Sequence, residues 1–297
     1  MSDLAPADSW RMAVAHRYLW ARDKAYRIAA WVSASALAVL LVSALVMLLS
    51  PRPVPSTGGV AQTAAGAAAP VDDLRSLAGR AGSDPAAFAS LEHEANAGNA
   101  QAQYIVGALY DPFVPALHFN KDPAKAFEWY QKAAVQDYPP AENNLGVCYA
   151  KGVGVERNLT EAVRWYRQGA EAGWAQAQSN LGRAYETGEG LDRDYGQALV
   201  WYHKAADQGL AAAQLSLGLA YQHGNGVDQD YAQAASWFEK AAVQGYSPAE
   251  YDLGVAYAKG QGVAQDTAQA EAWYRKAAAH GDRAAEQALR DLQQPAK

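Results

Sequence analysis

The feature that most constrains the fold of this chain is an internal repeat of 36 residues. A Trp followed by a second aromatic residue occurs five times at this spacing, at 129/130, 165/166, 201/202, 237/238 and 273/274. The pair Leu-Gly recurs in constant phase at 145/146, 181/182, 217/218 and 253/254, and a Tyr follows each of these Gly residues by three positions. Repeats of this length are typical of solenoids, in which each unit buries its apolar face against its neighbours.

Each period divides into two helices. Leu181 and Tyr185 are four residues apart and share one face of a first helix, here called helix A. A Gly-x-Gly loop ends helix A, and an Asp or Asn seven residues before each Trp predicts the N-cap of a second helix, called helix B. We expect the Trp to fill the space between the helices. The sequence therefore predicts an all-α, right-handed α-solenoid of about five helix-turn-helix repeats.

The repeat register resembles a known family. In the fourth repeat it consists of Leu217-Gly218, Tyr221, Gly224-x-Gly226-Val227, Asp230, Ala234, Trp237-Phe238, Lys240-Ala241-Ala242 and Gly245. This pattern is similar to the SEL1-like repeat, a relative of the tetratricopeptide repeat. The resemblance implies a repeat domain over 83–297, with repeats near 99–137, 138–173, 174–209, 210–245 and 246–281 and a C-terminal cap over 282–297. The first repeat departs from it at 112–117, where another segment replaces the Gly loop.

An apolar segment precedes the repeats. Residues 28–50 begin with 22 uncharged residues, which is long enough for a transmembrane helix. A cleaved signal peptide is the alternative, although its apolar core usually has about 7–15 residues. Five basic residues precede the segment and only Arg52 follows it closely, so the positive-inside rule places residues 1–27 in the cytoplasm. The Pro-, Ala- and Gly-rich stretch 51–82 is predicted to be a flexible linker.

These features predict a single-pass membrane protein, and the Ala-rich composition together with the resemblance to the SEL1-like repeat implies a bacterial inner membrane with the repeat domain in the periplasm. Residues 17–27 resemble the segment next to the membrane in IcmL-type inner-membrane subunits of type IV secretion systems. From residue 71 onwards the chain has 19 basic and 28 acidic residues. A net negative domain without clustered Lys and Arg is not expected to bind nucleic acid.

The sequence predicts no catalytic residue, metal ligand or cofactor. The single cysteine, Cys148, has Ala at the equivalent positions 184, 220 and 256, so we expect a buried and inert thiol. The six His residues are dispersed and lack the spacing of metal ligands. The Gly-x-Gly loops lack the preceding strand and the Lys-Ser/Thr of phosphate-binding loops, and are predicted to be turns.

Binding of protein partners is the function that these exclusions leave. Several helix A positions vary between repeats while their neighbours stay constant, and Arg and Tyr at such positions contribute strongly to interfaces. Apolar residues in the insertion after the first helix A are also candidates. The predicted contacts are Asn144, Asn180, Arg183, Tyr251, Asp252, Phe113 and Val114.

The sequence thus favours a non-enzymatic, membrane-anchored scaffold that binds other envelope proteins, within an envelope-spanning complex such as a type IV secretion system. An oligomer within a larger complex is compatible with this interpretation. One alternative is a periplasmic regulator of a membrane sensor or of a cell-wall enzyme. Another is a hydrolase, which requires a nucleophile with its base, and no such pair is found.

Overall fold

The computed structural model describes residues 71–115 and 119–293, and within these ranges it contains thirteen α-helices and no β-strand. The predicted segments 1–27 and 28–50 and the first part of the linker, 51–70, lie outside the described residues. None of the thirteen helices is long and apolar enough to cross a membrane. In chain order they are α1 (Val71–Arg80), α2 (Pro85–Asn96), α3 (Ala100–Tyr110), α4 (Pro123–Ala134), α5 (Pro139–Lys151), α6 (Leu159–Glu171), α7 (Ala175–Thr187), α8 (Tyr195–Asp207), α9 (Ala211–His223), α10 (Tyr231–Ala242), α11 (Ser247–Lys259), α12 (Thr267–Ala279) and α13 (Arg283–Gln293).

Ten of these helices form five repeats, each consisting of one helix A and one helix B that pack against each other and against the next repeat. The pairs are α3–α4, α5–α6, α7–α8, α9–α10 and α11–α12. The pair α1–α2 precedes them, and α13 packs on α12 at the other end. The predicted all-α solenoid is confirmed.

The prediction of a flexible linker over 51–82 is wrong in its last part, because residues 71–80 form α1. Leu74 is 1% exposed and Ala81 is 5% exposed, and both pack in one apolar cluster with Leu91 of α2. Leu74, Leu77, Ala78 and Ala81 recur at the i, i+3, i+4, i+7 spacing of an amphipathic helix. The high Ala and Gly content of the preceding stretch concealed this spacing.

The predicted ends of the helices are confirmed. The Asp or Asn before each helix B accepts hydrogen bonds from free amides of the first turn; Asp230 Oδ1, for example, accepts from Ala232 N at 2.8 Å and from Gln233 N at 3.0 Å. Helix A ends at a left-handed Gly in four repeats, as at Gly224 (φ 73°). In α3, however, the helix ends at Asp111 in extended backbone, where the insertion begins.

The second Gly of each loop fixes the contact with the preceding repeat. A side chain on Gly262, which has φ +77°, would collide with the backbone carbonyl of Tyr231 at the start of α10. Gly154 meets the carbonyl of Pro123 in the same way. Such close approach requires a residue without Cβ. The Gly-x-Gly loops are therefore turns that hold neighbouring repeats together, as predicted.

The residue that fills the space between helix A and helix B is the second member of each aromatic pair. These five residues, called the core aromatics, are between 0% and 5% exposed: Tyr130, Tyr166, Tyr202, Phe238 and Tyr274. Each ring lies against the Gly of the helix A pair. A Cβ on Gly146 would be 2.6 Å from the ring of Tyr166, and one on Gly182 would be 2.8 Å from the ring of Tyr202. The Gly is required because the ring occupies the place of its side chain.

The prediction for the Trp residues is correct only in part. Each Trp lies in an apolar cluster formed by helix B of the preceding repeat and helix A of its own repeat, as Trp165 does with Tyr130 and Leu145, and so also contributes to the contact between repeats. Trp129 and Trp165 are buried, whereas Trp201, Trp237 and Trp273 are half-buried. A basic side chain covers the outer face of each indole, which adds a cation–π contact. The amine-to-centroid distances are 3.9 Å for Lys132, 3.8 Å for Lys204, 3.6 Å for Lys240 and 3.7 Å for Lys276, and Arg164 lies at 4.2 Å in the second repeat.

Candidate functional site

A chain of hydrogen-bonded amides crosses from the second repeat to the third. Asn180 Nδ2 donates to Asn143 Oδ1 at 2.8 Å, and Asn143 Nδ2 donates to Asn144 Oδ1 at 3.0 Å. Asn144 in turn lies next to the hydroxyls of Tyr104 and Tyr130. The structure therefore brings together two predicted contacts, Asn144 and Asn180, through Asn143.

The insertion after α3 covers a buried carboxylate. Asp111 is 7% exposed; its Oδ2 accepts from the hydroxyl of Tyr130 at 3.0 Å and its Oδ1 accepts from Phe113 N at 2.8 Å. Burial raises the pKa of Asp111, and these two hydrogen bonds oppose the increase. Lys121 Nζ donates to the carbonyls of Leu109 (3.0 Å) and Val114 (2.6 Å), which ties the two ends of the insertion together.

The predicted contact Phe113 lies on the surface of this insertion. Its side chain is 48% exposed, and the amine of Lys151 lies 4.3 Å from its ring centroid. Val114 is half-buried, and its carbonyl oxygen is taken by Lys121. Phe113 is thus available to a partner, whereas Val114 serves mainly to fix the insertion.

Arg183 and Lys151 form a positively charged patch next to the amide chain. Both side chains are exposed, and partial desolvation together with the nearby charge of Arg183 lowers the pKa of Lys151. Neither cation has a carboxylate within 4.0 Å among the described residues. Asp111 opposes the decrease in the pKa of Lys151 through its negative charge but does not pair with Lys151, so the patch keeps a net positive charge that favours an anionic ligand. Lys151 was not among the predicted contacts. It is the last residue of helix A in the second repeat, the position that Thr187 occupies in the third.

Tyr251 and Asp252 are not part of this surface. They lie in α11, where the ring of Tyr251 is 5.6 Å from the ring of Tyr274. Burial and the negative charge of Asp282, the residue that caps α13, raise the pKa of Asp252 to about 7. The predicted contacts therefore divide into one group across the first three repeats and a second group near the end of the array.

We expect Asp252→Asn to stabilise the chain at pH 8 by about 1–2 kcal/mol and to have little effect at pH 4. The pKa of Asp252 is higher in the folded chain than in the unfolded chain, so the native state holds its proton more tightly, and the stability that this gives is lost as the pH rises from about 4 to about 7. The substitution is mild, since Asn occupies the equivalent positions 144 and 180. Urea unfolding at both pH values measures the difference, and an equal effect at both would contradict the assignment.

A buried row of Gln side chains has a structural role. Gln178 Nε2 donates to the carbonyl of Ala170 at 3.2 Å, and its Oε1 accepts from Gln208 at 2.8 Å. Gln103 and Gln214 repeat these contacts in their own repeats. Each Gln thereby joins its own helix A to the preceding helix B and to the turn that follows the next helix B.

Two Glu residues replace Gln in this row. Glu250 is 2% exposed and its Oε2 lies 2.8 Å from Nδ1 of His280, which stands where Gln208 stands two repeats earlier. Burial, together with the charge of Asp137, raises the pKa of Glu142. The Glu250–His280 pair thus occupies a structural position, and no nucleophile accompanies it among the contacts described.

Cys148 is buried, as predicted. It is 1% exposed, and burial raises the pKa of its thiol to about 12, which disfavours the thiolate needed for nucleophilic attack. Among the described residues, no group of three or more His, Cys, Asp or Glu side chains is placed to hold a metal ion. The polar surface formed by the half-buried Asn180 and the exposed Arg183 is therefore the strongest candidate for function.

The helix pairs coincide with a known family. The model of the Sel1 repeat matches residues 100–138, 139–174, 175–210, 211–246 and 247–282, one match for each of the five repeats. The chain belongs to the Sel1 repeat family. The matched boundaries agree within about a residue with those predicted from the Trp and Leu-Gly spacing. In this family the solenoid is typically a non-enzymatic scaffold for protein–protein interaction.

Two solved structures and one curated protein illustrate the similarity. A Sel1 repeat protein from Oxalobacter formigenes is 36% identical, with a TM-score of 0.63 over 70% of this chain and 59% of its own. A protective antigen of uropathogenic Escherichia coli with an SLR fold is also 36% identical, with a TM-score of 0.60 over 68% and 43% of the two chains. HRD3A, an ERAD-associated E3 ubiquitin-protein ligase component from Arabidopsis thaliana, is 36% identical over 67 residues, which are 23% of this chain and 10% of HRD3A. The chain thus spans less than two thirds of each of these relatives.

Proposed function

We propose that the chain is a non-enzymatic scaffold that binds a protein partner through the A helices of its first three repeats. The observation that carries this proposal is the patch of Lys151 and Arg183, two cations without a carboxylate within 4.0 Å among the described residues, beside the amide chain that ends at Asn180. Phe113 adds exposed apolar area at the edge of the same surface. A mixture of Arg, amide and aromatic groups is typical of residues that contribute most to binding.

The proposal includes the location of the scaffold. An uncharged segment over 28–50 and basic residues before it support a single membrane span with the repeats on the periplasmic side of a bacterial inner membrane. The partners are then other envelope proteins, within a complex such as a type IV secretion system. Residues 17–27 support this, because they resemble the segment next to the membrane in IcmL-type subunits of such systems. The sequence match to HRD3A, itself a ligase component, supports a role inside a complex.

We expect the double substitution Lys151→Ala/Arg183→Ala to reduce partner recovery at least about tenfold, because losing charged interface groups costs about 1–3 kcal/mol. Crosslinking of the tagged full chain in its native membrane, followed by quantitative mass spectrometry, measures the recovery. The matched control is Lys204→Ala/Lys240→Ala, which removes the same charge from the helix B side. Equal recovery by both double variants would contradict the proposed surface.

A regulator of a membrane sensor is a second candidate, because it would use the same binding surface. It is separated from the scaffold by the identity of the crosslinked protein, a sensor kinase or cell-wall enzyme in one case and several structural subunits in the other. Turnover of peptidoglycan or of a β-lactam by the purified chain would instead favour the hydrolase. The location is tested by adding protease to spheroplasts, which should remove the repeats and protect residues 1–27.

A further inference from the structure

In two repeats the hydroxyl of the core aromatic donates a hydrogen bond to a carboxylate at the end of helix A. Tyr130 donates to Asp111 Oδ2 at 3.0 Å, and Tyr202 donates to Glu186 Oε2 at 2.7 Å. In both cases the acidic residue comes four positions after the Gly on which the ring packs. The carboxylate compensates for the burial of the hydroxyl, which would otherwise lose its contact with water.

The second repeat has the hydroxyl without the carboxylate. Its core aromatic, Tyr166, is 3% exposed, and the hydroxyl oxygen is buried and has no hydrogen-bond partner among the described residues. The position that holds Asp111 and Glu186 in the neighbouring repeats is Ala150 here. The fourth repeat has no hydroxyl at this place, because its core aromatic is Phe238. The acceptor that Tyr166 needs is therefore missing from its own repeat.

A small pocket lies where this acceptor would be. Its lining includes Ala150, Tyr166, Asn180, Arg183 and Glu189, and the rest of the lining is apolar. Its free volume is about 10 Å³, which accommodates one oxygen atom but not a whole side chain. The exposed side chains of Arg183 and Glu189 form its outer part.

The electrostatic surroundings of this pocket have both signs of charge. Burial raises the pKa of Tyr166 to about 12; the charge of Arg183 opposes this increase and that of Glu189 adds to it. The hydroxyl therefore remains a protonated donor at neutral pH. Lys151 adds a second positive charge beside Arg183. Arg183 and an unpaired donor thus face the pocket, together with the carboxylate of Glu189. Lys151 lies outside the lining, close to Arg183 and to Asp111.

We infer that this pocket binds a carboxylate of the partner, with one oxygen accepting from the hydroxyl of Tyr166 and the other facing Arg183. The inference rests on the proposed function and specifies its ligand as an acidic peptide. The bound carboxylate takes the place that Asp111 and Glu186 fill in the adjacent repeats. Ala150 is the specificity-determining residue, since a longer acidic side chain there would close the pocket from inside.

The first test asks whether the pocket accepts a carboxylate at all. Ala150→Glu in the full chain should raise the folding equilibrium constant about tenfold, because the Tyr166 hydroxyl gains the acceptor it lacks. The gain should vanish when Tyr166→Phe is also present. Gln222→Glu is the matched control, since it adds the same charge opposite Phe238, which has no hydroxyl, and should give no gain. An unchanged or lowered constant for Ala150→Glu, or a gain that survives Tyr166→Phe, overturns the inference.

The second test uses a probe peptide, fluorescein-labelled Gly-Ser-Gly-Ser-Ala-Glu, with the full chain and fluorescence anisotropy. We expect binding that Ala150→Glu and Arg183→Ala each weaken at least about tenfold, and that Lys240→Ala leaves unchanged. A C-terminal amide and a Glu→Gln version of the peptide separate a terminal carboxylate from a side-chain one. Absence of binding, or equal binding by Ala150→Glu, contradicts the inference.

The two levels of the proposal fail differently. Should Ala150→Glu recover the same crosslinked proteins in the same amount as the native chain, the carboxylate pocket is wrong while the scaffold stands. Should the native chain recover none, the scaffold is wrong, and the stability and peptide measurements still decide the pocket. Glu189→Gln should strengthen binding of the peptide, because it removes the negative charge that lines the pocket and repels a carboxylate. Weaker binding by this variant than by the native chain would contradict the inference.

Discussion

Phe238→Ala is expected to lower the free energy of unfolding by about 3–5 kcal/mol, whereas Trp237→Ala should lower it by only about 1–2 kcal/mol. Phe238 is 1% exposed and fills the space between α9 and α10 against Gly218, so its removal leaves a cavity that the helices cannot close. Trp237 is half-buried, packs against the preceding repeat and keeps one face towards Lys240. Urea unfolding followed by far-ultraviolet circular dichroism measures both changes.

The comparison between these two neighbouring residues is its own control, because they share one helix and one turn. Circular dichroism is the required signal, since the second substitution removes a fluorophore. A larger loss for Trp237→Ala than for Phe238→Ala would show that the Trp, rather than the core aromatic, supports the repeat. It would support the arrangement predicted from the Trp spacing, in which the Trp fills the space between the helices.

The ambiguity of the aromatic pair shows what the sequence could not decide. Adjacent residues on a helix point about 100° apart, and both members of the pair are large and apolar. The periodicity therefore places a pair at each repeat without choosing which member faces helix A. One signal was present: Lys240 follows Trp237 by three positions and so shares its face of α10, which marks that face as accessible to solvent. Gly218, which must face a ring, lies in another helix, and its partner appears only in the folded chain.

The parts of the fold that the sequence predicts well depend on local physics. An Asp such as Asp230 caps a helix within three residues, and a Gly such as Gly224 ends one through its own backbone. Both effects involve only residues close in the sequence, so they do not depend on how the repeats pack. α1 was missed for a different reason: its apolar residues have helical spacing, but they lie beside a stretch rich in Ala, Gly and Pro and match no repeat.

The candidate site was predictable only in outline. Variation along helix A indicated Asn180 and Arg183, and both lie on the surface proposed for binding. Lys151 was missed because its proximity to Arg183 depends on how successive A helices pack. The sequence does contain a signal for the unpaired hydroxyl of Tyr166. Four positions after the helix A Gly, the first and third repeats have Asp111 and Glu186, whereas the second has Ala150. This signal has a meaning only when the structure shows that the hydroxyls of the core aromatics point to that position.

The helix A glycines suggest the largest effect of a single substitution in the array. The column Gly107, Gly146, Gly182, Gly218 and Gly254 continues in α13 as Arg290, which is exposed and hydrogen-bonds Gln287. An Arg at this position is incompatible with a core aromatic packed on the helix. A Gly at this position therefore allows a helix B to pack on the helix through its core aromatic, and an Arg does not.

Gly182→Arg should give α7 the surface of α13 and prevent the ring of Tyr202 from packing on it. We expect a loss of about 4 kcal/mol or more, and two unfolding transitions in place of one, because a solenoid is held together only by contacts between neighbours. Urea unfolding measures both, and limited proteolysis should cut between α7 and α8. Gly79→Arg is the control, since Gly79 is exposed in α1 and a Cβ there would meet no atom within 4 Å, and it should be neutral or slightly stabilising. A single transition at the native midpoint for Gly182→Arg would mean that contact between the core aromatic and glycine does not hold the repeat together.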